Sequence, residues 1–270
     1  MADRARLSLN TITVRDRWTL AQCIEGCARH GIRAIDPWRD KIAEYGLANT
    51  VRHLRDAGVR ASGVCRGGLF TAGDRRAAFE ENRRAIDETA ALGGDCLVIV
   101  CGGLPAGSKD LPAARALVAD ALAELLPHAR AAGVTLALEP LHPMTCADRS
   151  VLATTAQALR LAEALGEGVG IALDVYHIWW DPALEASIAA AAGRIAAFHV
   201  CDWLVPTRDL VFDRGMMGDG VIDIAHIRAL VEQAGYGGPI GVEIMSQLDW
   251  WRRDPDDVLC VAGERFSACV

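Results

Sequence analysis

Short apolar runs alternate with longer amphipathic stretches along the whole chain. The short runs are Leu7–Thr13, Arg33–Trp38, Val59–Cys65, Asp95–Cys101, Val134–Pro140, Val169–Tyr176, Ile195–Cys201 and Pro239–Met245. They are mainly β-branched or otherwise apolar, the character of strands buried on both faces. Between them, Arg75–Leu92, Leu111–Ala132, Thr154–Leu165 and Ile222–Ala234 carry Ala, Leu, Arg and Glu at helical spacing. Several of these stretches stop at a glycine just before the next strand, as in Ala57-Gly58-Val59, Ala132-Gly133-Val134 and Ala234-Gly235-Tyr236. A helix that ends in the left-handed conformation places glycine there at little cost. Eight strand–helix units in 270 residues predict a (β/α)8 TIM barrel, one α/β domain over residues 1–270. A doubly wound sheet would carry G-x-G-x-x-G after its first strand, and that pattern is missing here.

Composition narrows the function classes. The apolar runs fall far short of the roughly 18 residues that a membrane span needs. Residues 1–10 have charges but no apolar core of a secretory signal. A cytoplasmic, soluble protein with no membrane partner is expected. The net charge of −7, from 28 basic against 35 acidic residues, argues against a nucleic-acid partner. The two lysines, Lys41 and Lys109, sit in polar contexts, which disfavours imine chemistry. Nine cysteines without a C-x-x-C pair read as small buried hydrophobes in a reducing compartment.

Active sites of such barrels lie at the carboxyl ends of the strands. The fifth run ends in Glu139-Pro140 and the sixth in Asp174-Val175-Tyr176-His177. The seventh ends in His199-Val200-Cys201-Asp202-Trp203 and the eighth in Glu243-Ile244-Met245. Four successive strands thus each present one metal-competent side chain: Glu139, Asp174, His199 and Glu243. Three carboxylates and one imidazole make a hard, oxygen-rich site for one divalent ion, Mn²⁺, Mg²⁺ or Co²⁺, with Zn²⁺ also admissible. Carboxylates gathered so closely would repel one another without a cation.

That series resembles the xylose isomerase-like TIM barrels, the sugar phosphate isomerase/epimerase group that is related to endonuclease IV. The resemblance implies that Glu139, Asp174, His199 and Glu243 bind one metal ion and that His177 faces substrate. The stretch Asp213-Arg214-Gly215 before Gly218-Asp219-Gly220 is similar to the family's arginine loop, which makes Arg214 a substrate-facing residue. The endonuclease branch builds a trinuclear zinc cluster from further histidines. Here the third and fourth runs end in Cys65-Arg66-Gly67-Gly68 and Cys101-Gly102-Gly103, and glycine stands at position 215 where a histidine is needed. One metal ion is therefore expected, and no DNA substrate.

A cation that chelates a carbonyl and its neighbouring hydroxyl would stabilise a cis-enediolate, with Glu139 and Glu243 removing and returning the proton. This chemistry suits a metal-dependent isomerase or epimerase of an unphosphorylated ketose, keto-acid or cyclitol ketone. The alternative on the same site is a lyase: dehydration of an inosose or dehydroshikimate-type substrate, or β-elimination of a 3-keto-glycoside. Trp38, Phe70, Trp179, Trp180, Trp203 and Trp250 follow strand ends, where they could stack on sugar or cyclitol faces or seal a homo-oligomer interface. Trp38 and Trp203 are the aromatic candidates for substrate contact. Arg39 and Arg66 also follow strand ends, either to bind a substrate carboxylate or hydroxyls or to pair with Asp40 and Asp36. The run after the eighth strand, Ser246-Gln247-Leu248-Asp249, lacks the glycines of a barrel phosphate site.

Overall fold

Each apolar run becomes a strand because both of its faces are covered. The structure is a computed structural model and describes residues 2–270. In chain order the first half runs β1 (Leu7–Asn10), α1 (Leu20–Arg29), β2 (Ala34–Asp36), α2 (Arg39–Tyr45), α3 (Leu47–Ala57), β3 (Arg60–Ala61), β4 (Val64–Gly68), α4 (Arg75–Leu92), β5 (Cys96–Val100) and α5 (Leu111–Ala131). The second half runs β6 (Thr135–Leu138), α6 (Thr155–Leu165), β7 (Val169–Asp174), α7 (Val175–Ile178), α8 (Leu184–Ala190), β8 (Ile195–Val200), β9 (Asp202–Trp203), β10 (Arg214–Gly215), α9 (Ile224–Gln233), β11 (Ile240–Val242) and α10 (Pro255–Cys269).

Nine strands form one parallel sheet in the order β3-β2-β1-β11-β8-β7-β6-β5-β4. β3 and β4 are two halves of the expected run Val59–Cys65, parted at Ser62-Gly63, so eight strand positions make the barrel. β3 pairs with β2 and β4 with β5, and a parallel bridge between Trp38 and Cys65 draws the two edges together. The break has a local cause. The Ser62 hydroxyl turns to the Asp36 carboxylate, 2.9 Å away, and its amide bonds to Ile35. The antiparallel β9–β10 pair stands outside the barrel sheet and was not foreseen.

Alternation along each strand sorts large from small. Leu9, Ile35, Leu97, Leu138, Leu173, Phe198 and Val242 belong to the main core shared with the helices. Burying each contributes about 1.5–3 kcal/mol. The intervening Cys65, Cys96, Val98, Ala137, Ala172 and Ala197 form a separate cluster of mostly small side chains that fills the barrel axis. The three glycine stops behave as expected: Gly58, Gly133 and Gly235 have φ of 65°, 69° and 92°. All nine cysteines are free, and no helix among the described residues is long and apolar enough to cross a membrane.

Candidate active site

The same alternation decides which strand-end residues enter the barrel mouth. Leu138, Leu173, Phe198 and Val242 face the helices, so Glu139, Asp174, His199 and Glu243, one residue on, face the axis. All four are buried. Sheet register pairs Asp174 with His199, and His199 with Gly241. Gly241 makes room for the imidazole: a Cβ there would lie 2.7 Å from His199 Cδ2 and 2.9 Å from Asp36 Oδ2.

Three of the four expected side chains converge. One ligand atom each from Glu139, His199 and Glu243 lies within 4.8 Å of the others. His199 Nδ1 is 3.5 Å from Glu243 Oε2 and 3.9 Å from Glu139 Oε1. It is buried and has no hydrogen-bond partner among the described residues. Metal–ligand bonds of about 2.1 Å at tetrahedral angles separate neighbouring ligand atoms by about 3.4 Å. An orphaned imidazole nitrogen facing two carboxylates at this spacing fits a divalent cation.

Asp174 departs from the expected four-ligand set. As N-cap of α7 it accepts the Tyr176 amide at 2.9 Å through Oδ1, while Oδ2 accepts from Arg214 Nη1 at 2.8 Å. Both oxygens are thus engaged by protein donors. Arg214 correspondingly differs from a free substrate-facing arginine. Only 2% exposed, it also approaches Glu243 Oε2 at 3.5 Å and stacks its guanidinium 4.4 Å from the Tyr176 ring centre. It still lines the small space beside Glu139, Glu243 and His177. His177 Nδ1 accepts the His142 amide at 3.1 Å, and its Nε2 lies 3.3 Å from Arg214 Nη2.

Protonation is split across the glutamates. Burial, then the charges of Glu243 and Asp174, push the Glu139 carboxyl up to about 8. Burial acts upward on Glu243 too, but the His199, Arg214 and His177 side chains outweigh it and hold that carboxyl well below the usual range. Burial opposes the His199 cation, yet Glu243 beside it carries the imidazole up to about 10. Burial lifts Asp174 to about 6, against the pull of Arg214.

The aromatic expectations divide. Trp38 lines the mouth and donates from Nε1 to Asn10 Oδ1 at 2.8 Å. Trp203 does not line the mouth. It packs with His142, Tyr176 and Trp179, ring centres 5.0, 4.7 and 5.6 Å away, because β9 carries it beyond the barrel rim. Phe70 and Trp250 belong to the core. Phe212 and Trp251, which the sequence did not single out, line the mouth instead. Arg39 is committed to Glu81 and Glu88 rather than to Asp40 or Asp36, whereas Arg66 lines the site beside Glu139.

Two functional candidates escaped sequence reasoning. Asn10 ends β1 and donates to Glu243 Oε1 at 3.0 Å, linking Trp38 to that carboxylate. Applied to the first strand, the strand-end rule would have found it. Arg149 lines the same space from the loop after β6, where no periodicity marks it.

A nearly closed parallel barrel with a Glu–His–Glu cluster at the carboxyl ends of its strands defines a class of metal-competent (β/α)8 proteins. The chain belongs to the xylose isomerase-like TIM barrel family, which matches residues 24–259. Protein SMc04130 from Sinorhizobium meliloti 1021 is similar throughout, with 52% identity, 99% of each chain covered and a TM-score of 0.97. L-ribulose-5-phosphate 3-epimerase UlaE of Salmonella paratyphi C is 31% identical over 130 residues, 47% of this chain and 42% of that one. L-ribulose 3-epimerase of a Methylomonas species is 27% identical over 254 residues, 85% of this chain and 80% of that one. The match thus spans less than half the length of the first of these epimerases.

Proposed function

We propose that the protein is a divalent-metal-dependent isomerase or epimerase of an unphosphorylated ketose, keto-acid or cyclitol ketone. The observation that carries this reading is the pair of buried glutamates, Glu139 and Glu243, which reach one imidazole from strands β6 and β11. The relatives named L-ribulose-5-phosphate 3-epimerase and L-ribulose 3-epimerase support epimerisation of a ketose as the class of reaction.

A divalent ion held by Glu139, His199 and Glu243, preferably Mn²⁺, Mg²⁺ or Co²⁺, would supply Lewis-acid polarisation of a substrate carbonyl. Asp174 is then the residue that fixes Arg214, and it could join the ligand set if Arg214 moved onto substrate. Glu243 is kept ionised by its cationic neighbours and is oriented by Asn10, which suits it to take the proton α to the carbonyl. Glu139, which reaches His199 from β6 opposite Glu243, would return the proton. His177 and Arg214 line the same space as the two glutamates, where they would meet the oxygens of a bound substrate, and Trp38 would offer an apolar wall that excludes water.

The test is solvent exchange. With Mn²⁺ present, a panel of ketohexoses, keto-acids and inosose in D2O should include a compound that gains deuterium at the carbon next to its carbonyl. Glu243→Gln should abolish that exchange while the protein stays folded. If no member of the panel exchanges, the reading fails. A new conjugated ultraviolet absorbance would assign the site to elimination instead.

A further inference from the structure

Arginines around the barrel mouth are paired, with two exceptions. Arg39 holds Glu81 and Glu88, Arg15 holds Asp40, and Arg214 holds Asp174. Arg66 and Arg149 have no such partner among the described residues. Arg66 comes from β4 and Arg149 from the loop after β6, so they approach the mouth from different parts of the chain. The Arg66 Nε is buried without an acceptor, and its guanidinium stands 5.9 Å from the centre of the Trp38 ring. Arg149 is partly buried, and burial together with the charges of Arg214 and Arg66 pulls its pKa down.

Both residues line two adjoining spaces. One, of about 20 Å³, reaches Glu139, His177, Arg214 and Glu243. The other, of about 430 Å³, opens outward between Trp38, Phe212 and Trp251. The first holds about one water and the second a small organic molecule. A ligand seated in the outer space therefore has its reactive end toward the glutamates and passes both arginines.

Charge completes the argument. The carboxylates of Glu139, Asp174 and Glu243 are balanced by Arg214 together with one dication. Arg66 and Arg149 are then in excess, and guanidinium groups held partly out of water without counter-charge are costly. A planar anionic oxygen group on the ligand would supply what they lack. Resting on the epimerase reading for the reaction at the glutamates, the geometry points to a substrate that carries a carboxylate, seated between Arg66 and Arg149 where the two spaces join. A carboxylate rather than a phosphate fits the outer space, whose lining includes no glycine.

The test uses the full-length protein loaded with Mn²⁺ and three ketoses that differ only at the sixth carbon: D-fructose, D-fructuronate and D-fructose 6-phosphate. Calorimetry should find fructuronate bound at least about tenfold more tightly than fructose. Arg66→Gln and Arg149→Gln should each weaken fructuronate by roughly ten- to a hundredfold. The double variant should lose the preference for fructuronate over fructose, with a cooperative thermal melt and an unchanged far-ultraviolet spectrum as the controls for folding. Equal or undetectable binding of fructose and fructuronate, or a preference that survives in the double variant, overturns the subsite. Tightest binding of fructose 6-phosphate overturns its assignment to a carboxylate. A carboxylate preference without deuterium exchange in any ketose keeps the subsite and removes the epimerase reading. Exchange without a charge preference does the reverse.

Discussion

Gly241→Ala tests whether His199 is a metal ligand without replacing any ligand. The added methyl would sit 2.7 Å from His199 Cδ2, 3.3 Å from His199 Nε2 and 2.9 Å from Asp36 Oδ2. Carbon atoms in contact prefer about 3.5–4.0 Å, so close to 1 Å of overlap must be relieved. The backbone at Gly241 is held by its register with His199 and Ser8. Asp36 is pinned by the Ser8 hydroxyl at 2.7 Å and the Ser62 hydroxyl at 2.9 Å. The imidazole has neither restraint, since its Nδ1 has no hydrogen bond among the described residues, and it is the group that must move. Metal–ligand distances tolerate only about 0.2 Å, so a displacement several times larger should weaken Mn²⁺ binding by about ten- to a hundredfold. Overpacking of this kind costs about 1–3 kcal/mol, which lowers Tm by roughly 2–10 °C and leaves the protein folded at room temperature. Gly237→Ala is the matched control, because a methyl there meets nothing within 4 Å. Mn²⁺ calorimetry and thermal melts on the three proteins decide the matter. Wild-type Mn²⁺ affinity in Gly241→Ala, or an equal loss in Gly237→Ala, would refute the placement of His199 at the cation.

Two further outcomes follow from the same geometry. With Glu139 raised to about 8 and His199 to about 10, both carry protons at neutral pH, and a dication must displace them. Apparent Mn²⁺ affinity should therefore climb with pH, by close to a hundredfold per unit below about pH 8 and less steeply above it; calorimetry between about pH 6 and 8.5 that finds no such slope contradicts the assigned protonation. Asp174→Ala should destabilise the fold by about 3–5 kcal/mol, because it leaves the buried Arg214 guanidinium without its main counter-charge. A urea midpoint unchanged from wild type would show that the pair does not hold the mouth together.

The barrel itself was readable from the chain. All eight apolar runs became strand positions, and helices such as Arg75–Leu92 fell where helical spacing placed them, because burial on both strand faces imposes a continuous apolar signal. The strand ends were also readable. The polar residues that end the fifth to eighth runs are Glu139, Asp174, His199 and Glu243; each follows a Leu, Phe or Val that faces the helices, and this parity turns Glu139, His199 and Glu243 to the axis. Asp174 obeys the same parity, but sequence could not show that the Tyr176 amide and Arg214 take up its two oxygens, since Arg214 lies 40 residues away on a hairpin with no periodic signature. Trp203 was drawn off the mouth by that same hairpin, while Phe212 and Trp251 reached it from segments that looked like ordinary loop. Periodicity encodes which face of an element is buried. Which distant side chains meet across that face depends on loop paths and on competition for hydrogen-bond partners, and those are settled only when the chain closes.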